Sequence, residues 1–275
     1  MQGTSGSPNE PDTVFEQNLG IPVRRREVKG TKLFIVLPAY NEEENIGALL
    51  EAIDNVLQDQ NLEYQAIVVD DGSRDHTLRI LEEYQEQVPV TICRHKLNQG
   101  LGATIRDGLL IASRMAADND VVITMDADQT HSPGLIFRMV QMVNEGHDVV
   151  IASRYRHGAR VFGVSLFRRC LSYGASMLLR IVFPTSGVRD YTCGYRAYRG
   201  NVLRRAITVY GDRFVEASGF QCMMDILLKF RELDVIFGEV PMVLRYDLKR
   251  GESKMRIFRT SRHSLTLLVR RRLGT

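Results

Sequence analysis

Short apolar runs alternate with longer stretches of helical spacing along the first half of the chain. Residues 33–37 (LFIVL) predict a buried strand closed by Pro38. Residues 42–57 predict a helix, with acids in the first turn and Ile46, Leu49, Leu50, Ile53, Val56 and Leu57 on one face. Strands are expected at 66–69, 90–93 and 121–125, and helices over 75–87 and from the loop Asn98-Gln99-Gly100-Leu101-Gly102 through Met115. A helix over 134–145 and a strand at 148–152 follow; the pattern then loses regularity. Helical stretches at 165–181 and 219–233 and a strand at 235–240 stand out from it. Strands and helices of these lengths build βαβ units, so the fold class is α/β: a doubly wound, mostly parallel sheet with helices on both faces. Ligands of such sheets lie beyond the carboxyl ends of the strands. Asp70, Asp71, Asp126 and Asp128 all fall at such ends.

Composition narrows the class. The 275 residues are 44% hydrophobic and 25% charged, a globular balance. No apolar run approaches the ~18 residues that span a bilayer, so no transmembrane helix is expected. Residues 1–30 open without a basic start and apolar core, which argues against a secretory signal, and read as a disordered leader. The four cysteines form no C-x-x-C pair, so reduced thiols in the cytoplasm are expected rather than a zinc or disulfide framework. Charge is uneven: residues 245–275 hold ten Lys/Arg against two acids, within a chain whose net charge is only +3. The chain thus divides into a leader (1–30), a globular domain (31–244) and a basic loop with an amphipathic segment (245–275). That segment interleaves Leu265, Leu267 and Leu268 with basic residues. It reads either as a helix on an anionic leaflet or as a packed helix with a solvated basic face. With Phe258 as the sole Phe, Tyr or Trp beyond residue 250 and no recognised module, it gives no support to nucleic acid as a partner.

Two motifs carry chemistry. Asp126-Ala127-Asp128 leaves an apolar strand, and a turn there converges two carboxylates on one hard cation, Mg²⁺ or Mn²⁺; a solvated strand-end turn is the other reading. Asp70-Asp71-Gly72-Ser73 offers acceptors for a base or ribose beside a glycine that admits close approach, or else a capped turn opening the next helix. No G-x-G-x-x-G follows the first strand, which argues against a dinucleotide-binding domain.

Taken in order, Leu37-Pro38-Ala39-Tyr40-Asn41-Glu42, Val69-Asp70-Asp71-Gly72-Ser73, Asn98-x-Gly100-x-Gly102-Ala103 and Asp126-Ala127-Asp128 resemble the inverting family 2 glycosyltransferases of GT-A fold. Later pieces resemble the dolichol-phosphate mannose synthase subgroup. They are Ser153-Arg154-Tyr155, the Arg168/Ser172 pair, Asp190 to Arg196, Gly238-Glu239-Val240-Pro241 and Gly251-Glu252-Ser253-Lys254. The resemblance spans residues 32–254. It implies a hexosyltransferase moving mannose from GDP-mannose to a polyprenyl (dolichyl-type) phosphate with inversion, peripheral on the cytoplasmic face of a membrane through its basic C-terminal segment. A UDP-sugar donor, a hydroxyl acceptor, or a silent sugar-nucleotide-binding protein are the alternatives.

By the same resemblance, Pro38, Tyr40, Glu42, Val69 and Asp71 would hold the nucleoside. Asp126 and Asp128, flanking Ala127, would hold the metal on the diphosphate. Arg154, Arg250 and Lys254 would hold phosphate oxygens of the donor, and Arg168 and Ser172 the acceptor phosphate. The chain departs from the pattern at three places. Thr130 stands where the subgroup often has a metal-binding Gln, with Gln129 one residue early. Asp225 stands where Glu is usual, and either Arg245 or Arg250 serves the stretched basic loop. A phosphate monoester, with a second pKa near ~6, is already a nucleophilic anion at neutral pH. A hydroxyl acceptor needs a carboxylate base, for which Asp225 is the candidate and Asp190 the second.

Overall fold

The computed structural model describes residues 31–219 and 221–248, with the side chains of 166–168 and 248 left aside. Seven strands form one sheet in the order β3-β2-β1-β4-β7-β5-β8. Its first part is β1 (Leu33–Ala39), β2 (Tyr64–Asp70), β3 (Val90–Arg94) and β4 (Val121–Thr124), all parallel. They are joined by helices α1 (Ile46–Asp59), α2 (Thr77–Gln85) and α3 (Leu101–Met115). β1 and β2 are buried on both faces, which explains why they read as continuous apolar runs rather than alternations. β1 pairs with β2 on one side and β4 on the other, so the chain reverses its direction of winding there. In open α/β sheets ligands bind above the carboxyl ends at such a switch point.

The second part holds α4 (Ile136–Asn144), β5 (Val149–Ser153), α5 (Leu166–Val182), β7 (Arg196–Arg199), α6 (Gly200–Tyr210), α7 (Cys222–Arg231) and β8 (Phe237–Pro241). β7 runs antiparallel between β4 and β5, the one reversed strand of the sheet. β6 (Arg160–Phe162) and β9 (Val243–Arg245) pair in a small separate sheet. Neither β7 nor α6 follows from the hydropathy pattern. β7 carries Arg196 at 0% exposure, its guanidinium donating to the carbonyls of Met223 (2.6 Å) and Tyr191 (2.9 Å). A charge satisfied by main-chain carbonyls outside the strand breaks the apolar signature of a core strand.

The expected helix over 42–57 begins later, at Ile46. Its acidic first turn is drawn into the β1–α1 loop instead: Glu42 N–H donates to Thr77 Oγ1 (2.8 Å) and Glu43 N–H to Asp75 Oδ2 (3.2 Å). Among the described residues no helix is long and apolar enough to cross a membrane.

Candidate active site

The loops after β1 and β2 are bonded into one rim. Asn41 N–H donates to Ser73 Oγ (2.9 Å), Arg74 N–H returns to Asn41 Oδ1 (2.9 Å), and Asp71 N–H reaches Ala39 O (2.8 Å). Gly72 has φ +70°, and a Cβ there would lie 2.9 Å from the Leu97 carbonyl carbon, so the 72 turn meets the 97–98 loop at a distance only glycine permits.

Asp71 supports that same wall. Its Oδ1 accepts from Gln99 N–H (2.8 Å) and faces His95 Nδ1 (2.7 Å), while Oδ2 accepts from Gly100 N–H (2.9 Å). The other nitrogen of His95 faces Asp107 Oδ2 (3.0 Å) on α3. Asp71, the acidic residue expected at the nucleoside, is buried and clasps the 95–100 loop. Pro38 lies within β1, opposite Val69 of β2, and Tyr40 and Glu42 are half-buried on the rim. The side chain of Val69 is fully buried against α3, where a Cβ on Gly108 would meet its Cγ2 at 3.2 Å. It faces the core, and only its main chain is left to a nucleoside.

β4 delivers the aspartate couplet. Met125 N–H still reaches Val36 O (3.2 Å); one residue on, Asp126 N–H donates to His131 Nδ1 (3.1 Å). Asp128 Oδ1 accepts from Thr130 Oγ1 (2.6 Å) and N–H (3.2 Å). Gln129 takes φ 60° and donates from Nε2 to Asn45 O (3.1 Å), pinning the turn to the start of α1. The departure noted in the sequence thus has a structural meaning. Thr130 is buried and orients Asp128, and Gln129 points to α1, so neither extends the ligand set. Among the described residues no group of three or more His, Cys, Asp or Glu is placed to hold a metal. Two hard carboxylates at a strand end still fit Mg²⁺ or Mn²⁺, which take few protein oxygens and complete the shell with phosphate and water. Asp126 keeps 38% of its side chain exposed for that purpose.

The Asp190–Arg196 motif backs the couplet. Thr124 Oγ1 donates to Gly194 O (2.7 Å), and a Cβ at Gly194 would lie 3.3 Å from Asp126 Oδ1. Tyr195 stacks on His131 with centroids 5.0 Å apart, and its hydroxyl donates to Ser132 O (3.0 Å). His131 lies outside the sequence motifs, and Tyr195 lies inside Asp190–Arg196 without a role assigned to it there.

Arg154 is largely committed inside the protein. Its Nε and Nη2 donate to the two oxygens of Asp190 (2.8 and 2.7 Å), and Nη2 also reaches Thr192 Oγ1 (2.6 Å). Glu239 Oε1 holds the 189–190 turn by accepting from both N–H groups (2.5 and 2.8 Å), which gives the Gly238–Pro241 motif a positioning role. Burial pushes the Asp190 carboxyl up, but Arg154 and the surrounding N–H groups outweigh it and hold the group below the usual carboxylate range. Such a carboxyl adds stability at neutral pH that is lost as pH falls through its folded value. In Arg154→Leu the guanidinium is gone and the main-chain N–H groups of residues 154, 192 and 193 are left to oppose burial, so the proton returns sooner. The acid-unfolding midpoint followed by circular dichroism should move to higher pH, with a loss of about 3–5 kcal/mol at pH 7.

Ser172 lies on α5, its hydroxyl 2.6 Å from that of Tyr155. Arg168 belongs to the same helix, one turn earlier, but its side chain lies outside the described residues. Arg250 and Lys254, the leader (1–30) and the segment from 249 onward also lie outside them. Asp225 opens α7 at 0% exposure, its Oδ2 accepting from Lys229 Nζ (3.0 Å) and Glu216 N–H (3.2 Å). Lys229 is itself 1% exposed, and also donates to Glu216 Oε2 (3.0 Å) and the Arg213 carbonyl. The expected base is thus half of a buried ion pair.

Comparison with known proteins bears on this geometry. Residues 34–206 match the family described as Glycosyl transferase family 2. A dolichol-phosphate mannosyltransferase of Pyrococcus furiosus is 34% identical over 241 residues, 86% of this chain and 64% of the relative. An undecaprenyl-phosphate 4-deoxy-4-formamido-L-arabinose transferase of Proteus mirabilis is 34% identical over 177 residues, 64% of this chain and 51% of the relative. The chain therefore spans only about half to two thirds of the length of these relatives. Among solved structures, glucosyl-3-phosphoglycerate synthase of Mycobacterium tuberculosis, in complex with Mn²⁺, UDP and phosphoglyceric acid, superposes with a TM-score of 0.64 at 20% identity. That match covers 88% of this chain and 78% of the other, and shows the shared GT-A fold.

Proposed function

The chain belongs to glycosyl transferase family 2, and from that premise we propose that it moves mannose from GDP-mannose onto a polyprenyl phosphate with inversion. The observation that carries this is the Asp126/Asp128 couplet, held by Thr130, Gln129 and His131 at the carboxyl end of β4, beside β1. Asp126 and Asp128 would hold Mg²⁺ or Mn²⁺, which when bound neutralises the charge a leaving diphosphate gathers. Tyr40, Glu42 and the Asp71-supported wall bound the nucleoside pocket. Arg154, Arg168, Ser172, Arg250 and Lys254 would supply the phosphate contacts.

The carboxylates favour a phosphate acceptor over a hydroxyl. Asp225 is tied to Lys229 and Asp190 to Arg154, and both are fully buried. A base must reach the proton it takes, which neither does in this arrangement. An acceptor phosphate needs none: an anionic oxygen bonds to the anomeric carbon as the bond to the diphosphate breaks, and the electron pair leaves with the nucleotide. A single displacement inverts the centre.

The acceptor's lipid chain asks for a surface, and α5 offers one. Leu171, Tyr173, Met177, Leu178 and Ile181 are about half or more exposed along it, on the helix that also carries Arg169 and Arg180. We place the protein peripherally on the cytoplasmic face of a membrane, with α5 and the basic C-terminal segment toward lipid. The test is transfer from radiolabelled GDP-mannose and UDP-glucose to polyprenyl phosphate in Mn²⁺, with NMR of the product. The β-mannosyl phosphate formed from GDP-mannose alone is expected; transfer from UDP-glucose alone, or to a sugar hydroxyl alone, would overturn the reading.

A further inference from the structure

We propose that His131 is the positioning residue of the aspartate couplet, setting the main chain at Asp126 before any cation arrives. The inference rests on the reading of Asp126 and Asp128 as cation ligands. β4 ends at Thr124, and the last N–H with a strand acceptor is that of Met125. The next donor outward, Asp126 N–H, has left the ladder, and a donor there without an acceptor lets the turn sample many geometries. His131 Nδ1 supplies the acceptor at 3.1 Å. A main-chain N–H only donates, so Nδ1 carries no proton and the ring hydrogen sits on Nε2, 3.7 Å from Asp126 Oδ2. The ring therefore holds Asp126 by its backbone, with Nε2 near the carboxylate but beyond hydrogen-bond distance.

The ring in turn cannot swing. It is 4% exposed, stacked on Tyr195, and followed by Ser132, whose carbonyl accepts from the Tyr195 hydroxyl. The loop 126–131 is thus closed at its ends by His131, in its middle by Thr130 on Asp128, and against α1 by Gln129. Outer groups that orient metal ligands are typically worth about 10–100-fold in metal affinity.

Two variants separate acceptor from bulk. His131→Phe keeps a ring against Tyr195 and removes the acceptor; His131→Asn loses the ring but places an amide oxygen where Nδ1 was. Mn²⁺ binding to the full chain is read by electron paramagnetic resonance with saturating GDP and, separately, UDP. Melting temperatures are read alongside. The expected result is about a tenfold to hundredfold weaker Mn²⁺ site in His131→Phe, largely restored in His131→Asn. Wild-type affinity in His131→Phe, or equal loss in both variants, overturns the proposal. Failure of the wild-type chain to bind Mn²⁺ would instead strike the cation reading beneath it. Nitrogen-15 NMR of the unaltered protein checks the tautomer without any variant: hydrogen on Nε2 is expected, and hydrogen on Nδ1 contradicts the geometry.

Discussion

Asp126→Ala lowers turnover about a thousandfold while the protein stays folded. The two halves of that result have separate causes. Stabilising charge on a leaving diphosphate is worth several kcal/mol, and a loss of ~4 kcal/mol is a factor of about 10³ in rate. Stability is expected to fall little because 38% of the side chain is exposed. Substitutions at such positions usually stay within about 0.5 kcal/mol, or about 2 °C in melting temperature for a domain of this size. Asp128→Ala is a poorer probe, because that carboxylate is buried and bonded to Thr130, so folding and catalysis fall together. The checks are kcat and KM for the donor over a Mn²⁺ titration, beside thermal melts. A variant that recovers full turnover at high Mn²⁺ would mean that Asp126 merely tunes an ion held elsewhere.

Lys229→Met is the largest expected effect on stability. Removing the ammonium takes away the cation that balances Asp225 at 0% exposure, and breaking a buried pair from one side costs about 3–5 kcal/mol. That is a fall of about 6–20 °C in melting temperature. In the double variant Asp225→Asn/Lys229→Met the charge is gone, and the Asn oxygen still accepts from Glu216 N–H, so most of the loss returns. The double variant also decides what Asp225 does. Assayed below its melting point with polyprenyl phosphate, it should transfer at close to the wild-type rate. A general base is worth about 10²–10⁴-fold, so a drop of that size would restore Asp225 to the chemistry.

The parallel half of the sheet was legible because both faces of β1 and β2 are apolar and their ends carry Asp70, Asp71 and the Asp126/Asp128 pair. The antiparallel strand was not, because its buried Arg196 is satisfied by main-chain carbonyls, one of them at Met223, 27 residues away and outside any local window. The helix before it in the sheet's wiring, α5, was legible from spacing, but its exposed apolar face was not, since periodicity shows a stripe without showing what covers it. At the site, the motifs marked the right neighbourhood and blurred the roles. Asp71 turns inward to the 95–100 loop, Arg154 is shared with Asp190, and Asp225 is neutralised by Lys229 one helical turn away. Each of those roles depends on which partner lies within 3 Å. Thr130 shows the same limit: beside the subgroup's Gln it reads as a lost ligand, yet in space it is the hydroxyl that aims Asp128.

Calorimetric titration of GDP-mannose into the protein, with Mn²⁺ and again with chelator, tests the core of this account most directly. Binding that needs the cation, and that disappears in Asp126→Ala at equal Mn²⁺, is the predicted result. Equal affinity in chelator, unchanged by Asp126→Ala, would contradict it.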